Sequence, residues 1–104
     1  MDSDNRKRET NNKIFNISNA SIDKFLDSIW TERGLSPNTL TAYRMDLRLL
    51  AQELARYDRE VNQARKSDLL SFVSKRVASG IKARTTARQI SSYRAFFQFL
   101  LRKL

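Results

Sequence analysis

Arg84, Arg88, Ser91, Ala95, Gln98 and Arg102 follow one another at intervals of three or four residues. On a helix that spacing stacks them along a single narrow strip, with Thr85 and Ser92 on its flanks. Guanidinium forks reach phosphate oxygens or guanine edges, and short hydroxyls and alanine let a backbone lie close to a duplex. An earlier stretch has the same make-up: Thr41, Arg44 and Arg48 share a face, with Asn38 and Thr39 in the first turn. The amides of Asn38 and Thr39, and those from Arg84 to Thr86, should be unpaired donors at positive helix ends, suited to holding phosphate.

The charge distribution agrees with that chemistry. The chain of 104 residues carries 20 basic and 11 acidic side chains, a net charge of +9. The 36 residues after Asp68 hold eight Lys or Arg and no Asp or Glu. A solvated helical face normally mixes both signs, so a surface of one sign points to a polyanion, and double-stranded nucleic acid is the expected partner. No apolar run approaches the ~20 residues of a spanning helix, and the N-terminus lacks the apolar stretch of a signal peptide. A soluble, cytoplasmic protein with no membrane partner is expected.

Catalysis within the chain is not expected. Without Cys or His there is no disulfide framework, no thiolate and no imidazole. No metal or cofactor site follows from the sequence. Asp23 and Asp27 lie one helical turn apart beside Glu32, which reads as an ordinary exposed face.

These residues need helices to place them, and the punctuation supplies four in one domain. Residues 1 to about 19 hold four basic side chains, three acidic ones and five Asn, so they read as a flexible polar tail, with Ile14, Phe15 and Ile17 docking loosely. Its Arg6-Lys7-Arg8 run is diluted by Asp2, Asp4 and Glu9. The helical domain takes up the rest, 20–104. Ile22, Phe25, Leu26, Ile29 and Trp30 form an apolar stripe from an N-cap at Ser21 to a stop at Gly34. Ser36-Pro37 opens a second helix, which buries Leu40, Tyr43, Leu47, Leu50 and Leu54 and reaches about Arg56. Tyr57 to Ala64 reads as a loop.

A third helix runs from about Lys66 to Gly80 with Leu69, Leu70, Phe72, Val73 and Val77 on its apolar side. The fourth starts near Ala83 and continues to the end, burying Ile90, Tyr93, Phe97, Leu100 and Leu104. Phe96 and Leu101 fall on its flanks, and Phe99 should be partly exposed. Arg84 and Arg88 project away from that core stripe, so removing both should leave stability nearly unchanged. The fold class is all-α, a compact bundle of four main helices.

The string from Ser36 to Leu47, SPNTLTAYRMDL, followed by GIKARTTARQISSYRAFFQFL from Gly80 to Leu100, resembles the SAM-like N-terminal core-binding domain of tyrosine recombinases and phage integrases, nearest the Xer branch. Ile22 to Leu26 and Lys66 to Leu70 also fit, so the similarity covers about 21 to 104. The resemblance implies a domain that clamps one side of a recombination half-site, its second and fourth helices approaching the major groove. Carried over by position, the DNA-facing residues are Thr39, Thr41 and Arg44 on the second helix, with Lys82, Arg84, Thr85, Thr86 and Arg88 on the fourth.

The combined DNA-binding set is therefore Asn38, Thr39, Thr41, Arg44, Arg48, Lys82, Arg84, Thr85, Thr86, Arg88, Ser91, Ser92 and Arg102. In the family, strand cleavage belongs to a separate domain with a nucleophilic tyrosine, so the implied partners also include that catalytic domain and other recombinase protomers. None of Tyr43, Tyr57 and Tyr93 is expected to act as a nucleophile. Two other readings stand beside this one: a helical protein-interaction module with a basic face, and a helix-turn-helix regulator. The latter should show one recognition helix and a two-fold interface, whereas two helices carry basic faces here.

Overall fold

The computed structural model describes residues 2–102, with side chains from Asn5 onward. Four helices pack around one core: α1 (Asp2–Arg33), α2 (Pro37–Ala55), α3 (Lys66–Ala78) and α4 (Ala83–Arg102), with a 3-10 turn at Val61–Gln63 before α3. No strand occurs among the described residues.

The first helix is the largest departure from expectation. It begins at Asp2 rather than near Ser21, and at about 1.5 Å per residue it sets the 47 Å long axis of the molecule. The core stripe Ile22, Phe25, Leu26 and Ile29 extends back through Ser18, which is fully buried, and Phe15, which packs against the core. Ser18 escapes notice in sequence because a hydroxyl breaks the apolar period. It can be buried because its Oγ accepts a hydrogen bond of 2.9 Å from the Val61 amide. Ser21 lies inside the helix rather than at its cap, and its hydroxyl accepts from Asn62 Nδ2 at 3.0 Å.

The expected stops and starts fall where backbone chemistry requires them. Gly34 has φ of 60°, the left-handed region that closes α1, and its amide bonds Trp30 O at 3.1 Å. Gly80 has φ of 91°, with Gly80 N on Val77 O and Ile81 N on Arg76 O, the paired bonds of a Schellman end for α3. Ser36 caps α2, its Oγ accepting from Thr39 N at 3.2 Å, and Pro37 occupies the first helical position. Asp68 caps α3 from the third helical position by accepting from Arg65 N at 2.8 Å.

The core joins Ile22, Phe25, Leu26 and Ile29 of α1 to Leu47, Leu50 and Leu54 of α2, with Val61, Phe72, Tyr93, Phe96 and Phe99 closing it. Phe25 meets Phe96 edge-on at 5.4 Å and Phe99 at 5.6 Å.

This packing rotates α4 relative to the expected face. Its buried line is Gln89, Ser92, Tyr93, Ala95, Phe96 and Phe99, because α4 packs against α2 and α3 as well as α1. Phe99, expected to be partly exposed, is only 6% exposed, and Ala95, expected on the outward strip, is buried. Ile90 is exposed instead, and Leu104 lies outside the described residues. Trp30, placed on the α1 stripe by its spacing, is 51% exposed. On α3 only Phe72 is fully buried, leaving Leu70 and Val77 in the open. Leu69, Leu70, Val73, Ile90, Phe97 and Leu101 line an open apolar cleft of about 520 Å³ between α3 and α4.

Candidate nucleic-acid interface

The expected contact residues divide into those the fold leaves open and those it commits elsewhere. At the start of α2, Asn38 is exposed. Thr39 is half-buried, its hydroxyl sharing a 3.0 Å hydrogen bond with Ser36 Oγ. Thr41 is exposed and donates back to Pro37 O at 2.9 Å, which leaves the oxygen lone pairs outward. Arg48 is exposed and enters no ion pair among the described residues. Arg44 leans instead toward α1 and binds Asp23 at 2.7 Å.

On α4, Lys82 and Arg84 at its N-terminal end are exposed and free of ion pairs among the described residues, and Ser91 is exposed. Thr85 is half-buried. Thr86 is half-buried too, with a hydroxyl oxygen that is buried and finds no partner. Ser92 is not a surface residue. It is fully buried and donates to Gln89 O at 2.8 Å, so it cannot meet a ligand. Arg102 is exposed but bonds Glu32 on α1 at 3.0 Å. The Arg102 guanidinium, helped by Ser28, draws the Glu32 carboxyl below its ordinary pKa.

Arg88 departs most from its expected role. Its Nε and Nη2 donate to the two carboxylate oxygens of Asp46 at 3.0 and 2.8 Å. Asp46 is 1% exposed, and the Arg88 side chain remains 43% exposed. The expectation that Arg88 can be removed without loss of stability is therefore overturned: its truncation would strand a buried carboxylate. The hydrogen bond to Asp46 raises the Arg88 pKa further above its ordinary value, so this guanidinium stays charged.

Spacing along each helix does not mark Asp46 or Gln89, and it reads Asp23 as part of an ordinary exposed face rather than as the partner of Arg44. The available signal was Asp46 itself, an acid at the margin of the Tyr43, Leu47 and Leu50 stripe, where burial demands a cation. Met45 was missed as well. It is 61% exposed on the outward side of α2, and apolar atoms there can pack against a sugar or a thymine methyl.

The described residues hold no cluster of His, Cys, Asp and Glu able to bind a metal ion, and none of their helices is long and apolar enough to cross a membrane. Of the tyrosines, Tyr93 is buried, Tyr43 half-buried and Tyr57 exposed near Lys75, whose Nζ lies 6.0 Å from its ring centroid.

Residues 22–103 match the family model of the phage integrase N-terminal SAM-like domain. The chain belongs to this family. Among curated proteins it is 41% identical over 85 residues to a tyrosine recombinase XerD of Yersinia pestis, covering 82% of this chain and 28% of that protein. A XerD of Proteus mirabilis is 46% identical over 82 residues, covering 79% of this chain and 26% of its relative. The XerD of Haemophilus influenzae is 42% identical over 84 residues, covering 81% and 28%. The chain thus spans little more than a quarter of the length of these relatives. No solved structure gives a significant match. In this SAM-like domain the family match and the all-α architecture agree.

Proposed function

We propose that the chain is a non-catalytic DNA-binding domain of a site-specific tyrosine recombinase, gripping one side of a recombination half-site by presenting α2 and α4 to the major groove. Residues 20–104 form the gripping unit, and the preceding part of α1 supports it by packing Ser18 and Phe15 into the same core. The observation that carries this reading is that, of the basic residues expected at the contact, Arg48 on α2 and Lys82 and Arg84 at the head of α4 are left exposed and uncompensated among the described residues. On the same helices Asn38, Thr39, Thr41, Thr85 and Ser91 add hydroxyls and an amide suited to phosphate and base edges, whereas the Thr86 hydroxyl is buried and would need the head of α4 to shift before it could take part. Arg44 and Arg102 join as their surface ion pairs open, since exposed pairs are weak. The catalytic domain of the same recombinase and further protomers on the DNA are its proposed partners, in the bacterial cytoplasm at the nucleoid.

Duplex titration tests this. Three uncommitted cations imply a log-log salt slope of about −3. Fluorescence anisotropy of a labelled duplex at several salt concentrations should give that slope with limited sequence selectivity. Binding that ignores salt, or no binding at low salt, overturns the reading. One observation favours a second reading, a helical protein-interaction module: the open cleft between α3 and α4, whose apolar lining suits a hydrophobic partner and would give no such slope.

A further inference from the structure

The Asp46–Arg88 pair sits where three helices converge. Both carboxylate oxygens of Asp46, on α2, are taken by Arg88 of α4. The next residue, Gln89, is buried and receives Arg76 Nε of α3 on its Oε1 at 3.2 Å. Gln89 Nε2 and the Tyr93 hydroxyl are buried beside them without partners. Apolar contacts between helices tolerate sliding, but a bidentate fork fixes both separation and angle, and Asp46 has no solvent to turn to.

The same pairing removes Arg88 from the charge available to a polyanion. Its +1 is matched by the −1 of Asp46, so it has little counterion to release when a phosphate approaches. Its place on α4 is nevertheless one turn from Arg84, and Arg48 follows Asp46 by two residues on α2. A change in how the pair sits shifts both free cations together.

We propose that Asp46 is a positioning residue of the DNA-binding surface: acting through the Arg88 guanidinium, it sets the separation and angle at which α2 and α4 present Arg48, Lys82 and Arg84 to the phosphates bordering a major groove. Arg88 is then a strut between the two helices rather than a phosphate contact. This rests on the DNA-binding reading above and assigns its internal geometry.

Asp46→Asn separates positioning from charge because the two predict opposite signs. The substitution keeps shape and frees the Arg88 charge, so electrostatics alone would tighten DNA binding and steepen the salt slope by about one. Positioning predicts weaker binding at every salt concentration, by about tenfold, the loss of one phosphate contact moved out of reach. Arg88→Lys keeps the charge but loses the fork, and should weaken binding by a similar factor with the slope unchanged. Affinities are taken on folded protein, verified by circular dichroism at the assay temperature. A purely structural role would leave the affinity of that folded fraction at the wild-type value.

Arg84→Ala serves as the reference, expected to lower the slope by about one. If wild-type protein shows no salt-dependent binding, the DNA-binding reading fails. If wild-type and Arg84→Ala behave as stated while Asp46→Asn binds more tightly, or both Asp46→Asn and Arg88→Lys keep wild-type affinity, the positioning role fails and the DNA-binding reading stands. Should Asp46→Asn not fold, Arg88→Lys decides alone.

Discussion

Ser18 and Val61, 43 residues apart in sequence, are joined by a buried hydrogen bond of 2.9 Å that ties the forward half of α1 to the turn before α3. The Val61 amide has no water to replace that acceptor, so Ser18→Ala leaves a buried donor unsatisfied and should cost about 1–3 kcal/mol. Ser21→Ala, which breaks a more exposed bond to Asn62, should stay within ~0.5 kcal/mol. Urea unfolding of both variants checks the contrast, and equal losses would mean that Ser18 does not anchor the helix.

The rotated face of α4 predicts which apolar residues matter. Phe99 is packed against Phe25, whereas Leu101 is 68% exposed on the rim of the α3–α4 cleft. Phe99→Ala should therefore lose about 3–5 kcal/mol through the cavity it leaves. Leu101→Ala should stay within ~0.5 kcal/mol. Thermal melting of the two variants distinguishes this register from one that buries Ile90.

Arg84 and Arg88 lie one turn apart and should respond oppositely to truncation. Arg84→Ala removes an unpaired cation, weakening DNA binding with stability nearly unchanged. Arg88→Ala strands Asp46 in the interior and should destabilise by about 1–3 kcal/mol, less than a fully buried pair because the guanidinium is partly solvated. Chemical denaturation together with duplex titration reads both effects.

Burial, and after it the nearby Asp46 carboxylate, pushes the Tyr93 hydroxyl pKa far above its ordinary value. The unfolded chain releases this proton near pH 10, whereas the folded chain retains it. Stability attached to the group is complete below pH 10 and declines as the pH rises beyond it. Because the hydroxyl has no partner, Tyr93→Phe should keep or raise stability at neutral pH and flatten the alkaline decline. Denaturant melts from pH 8 to 11.5 on both proteins provide the comparison.

With a nicked half-site substrate that traps covalent intermediates, the chain alone should give no DNA-linked protein. Phosphoryl transfer through a tyrosine needs cations and proton donors arranged around the scissile phosphate. Tyr93 is buried, and among the described residues the one cation set over the exposed Tyr57 ring is Lys75. A covalent adduct mapping to Tyr43, Tyr57 or Tyr93 would overturn the non-catalytic assignment.

The helical class, the boundaries at Gly34, Ser36-Pro37, Lys66, Gly80 and Ala83, and the concentration of positive charge are legible in the order of residues alone. These follow from backbone chemistry and local periodicity, which act within a few residues. Tertiary structure decided the rest. It extended the buried face of α1 back through Ser18 and Phe15, because Ser18 gains a partner 43 residues away. It rotated α4 to bury Ser92, Ala95 and Phe99, because that helix answers to three neighbours and a wheel displays only one face. It also sorted the cations, since Asp23, Asp46 and Glu32 occupy Arg44, Arg88 and Arg102 and leave Arg48, Lys82 and Arg84 open. An ion pair forms between side chains that packing brings together, and spacing along one helix carries no record of what lies across from it.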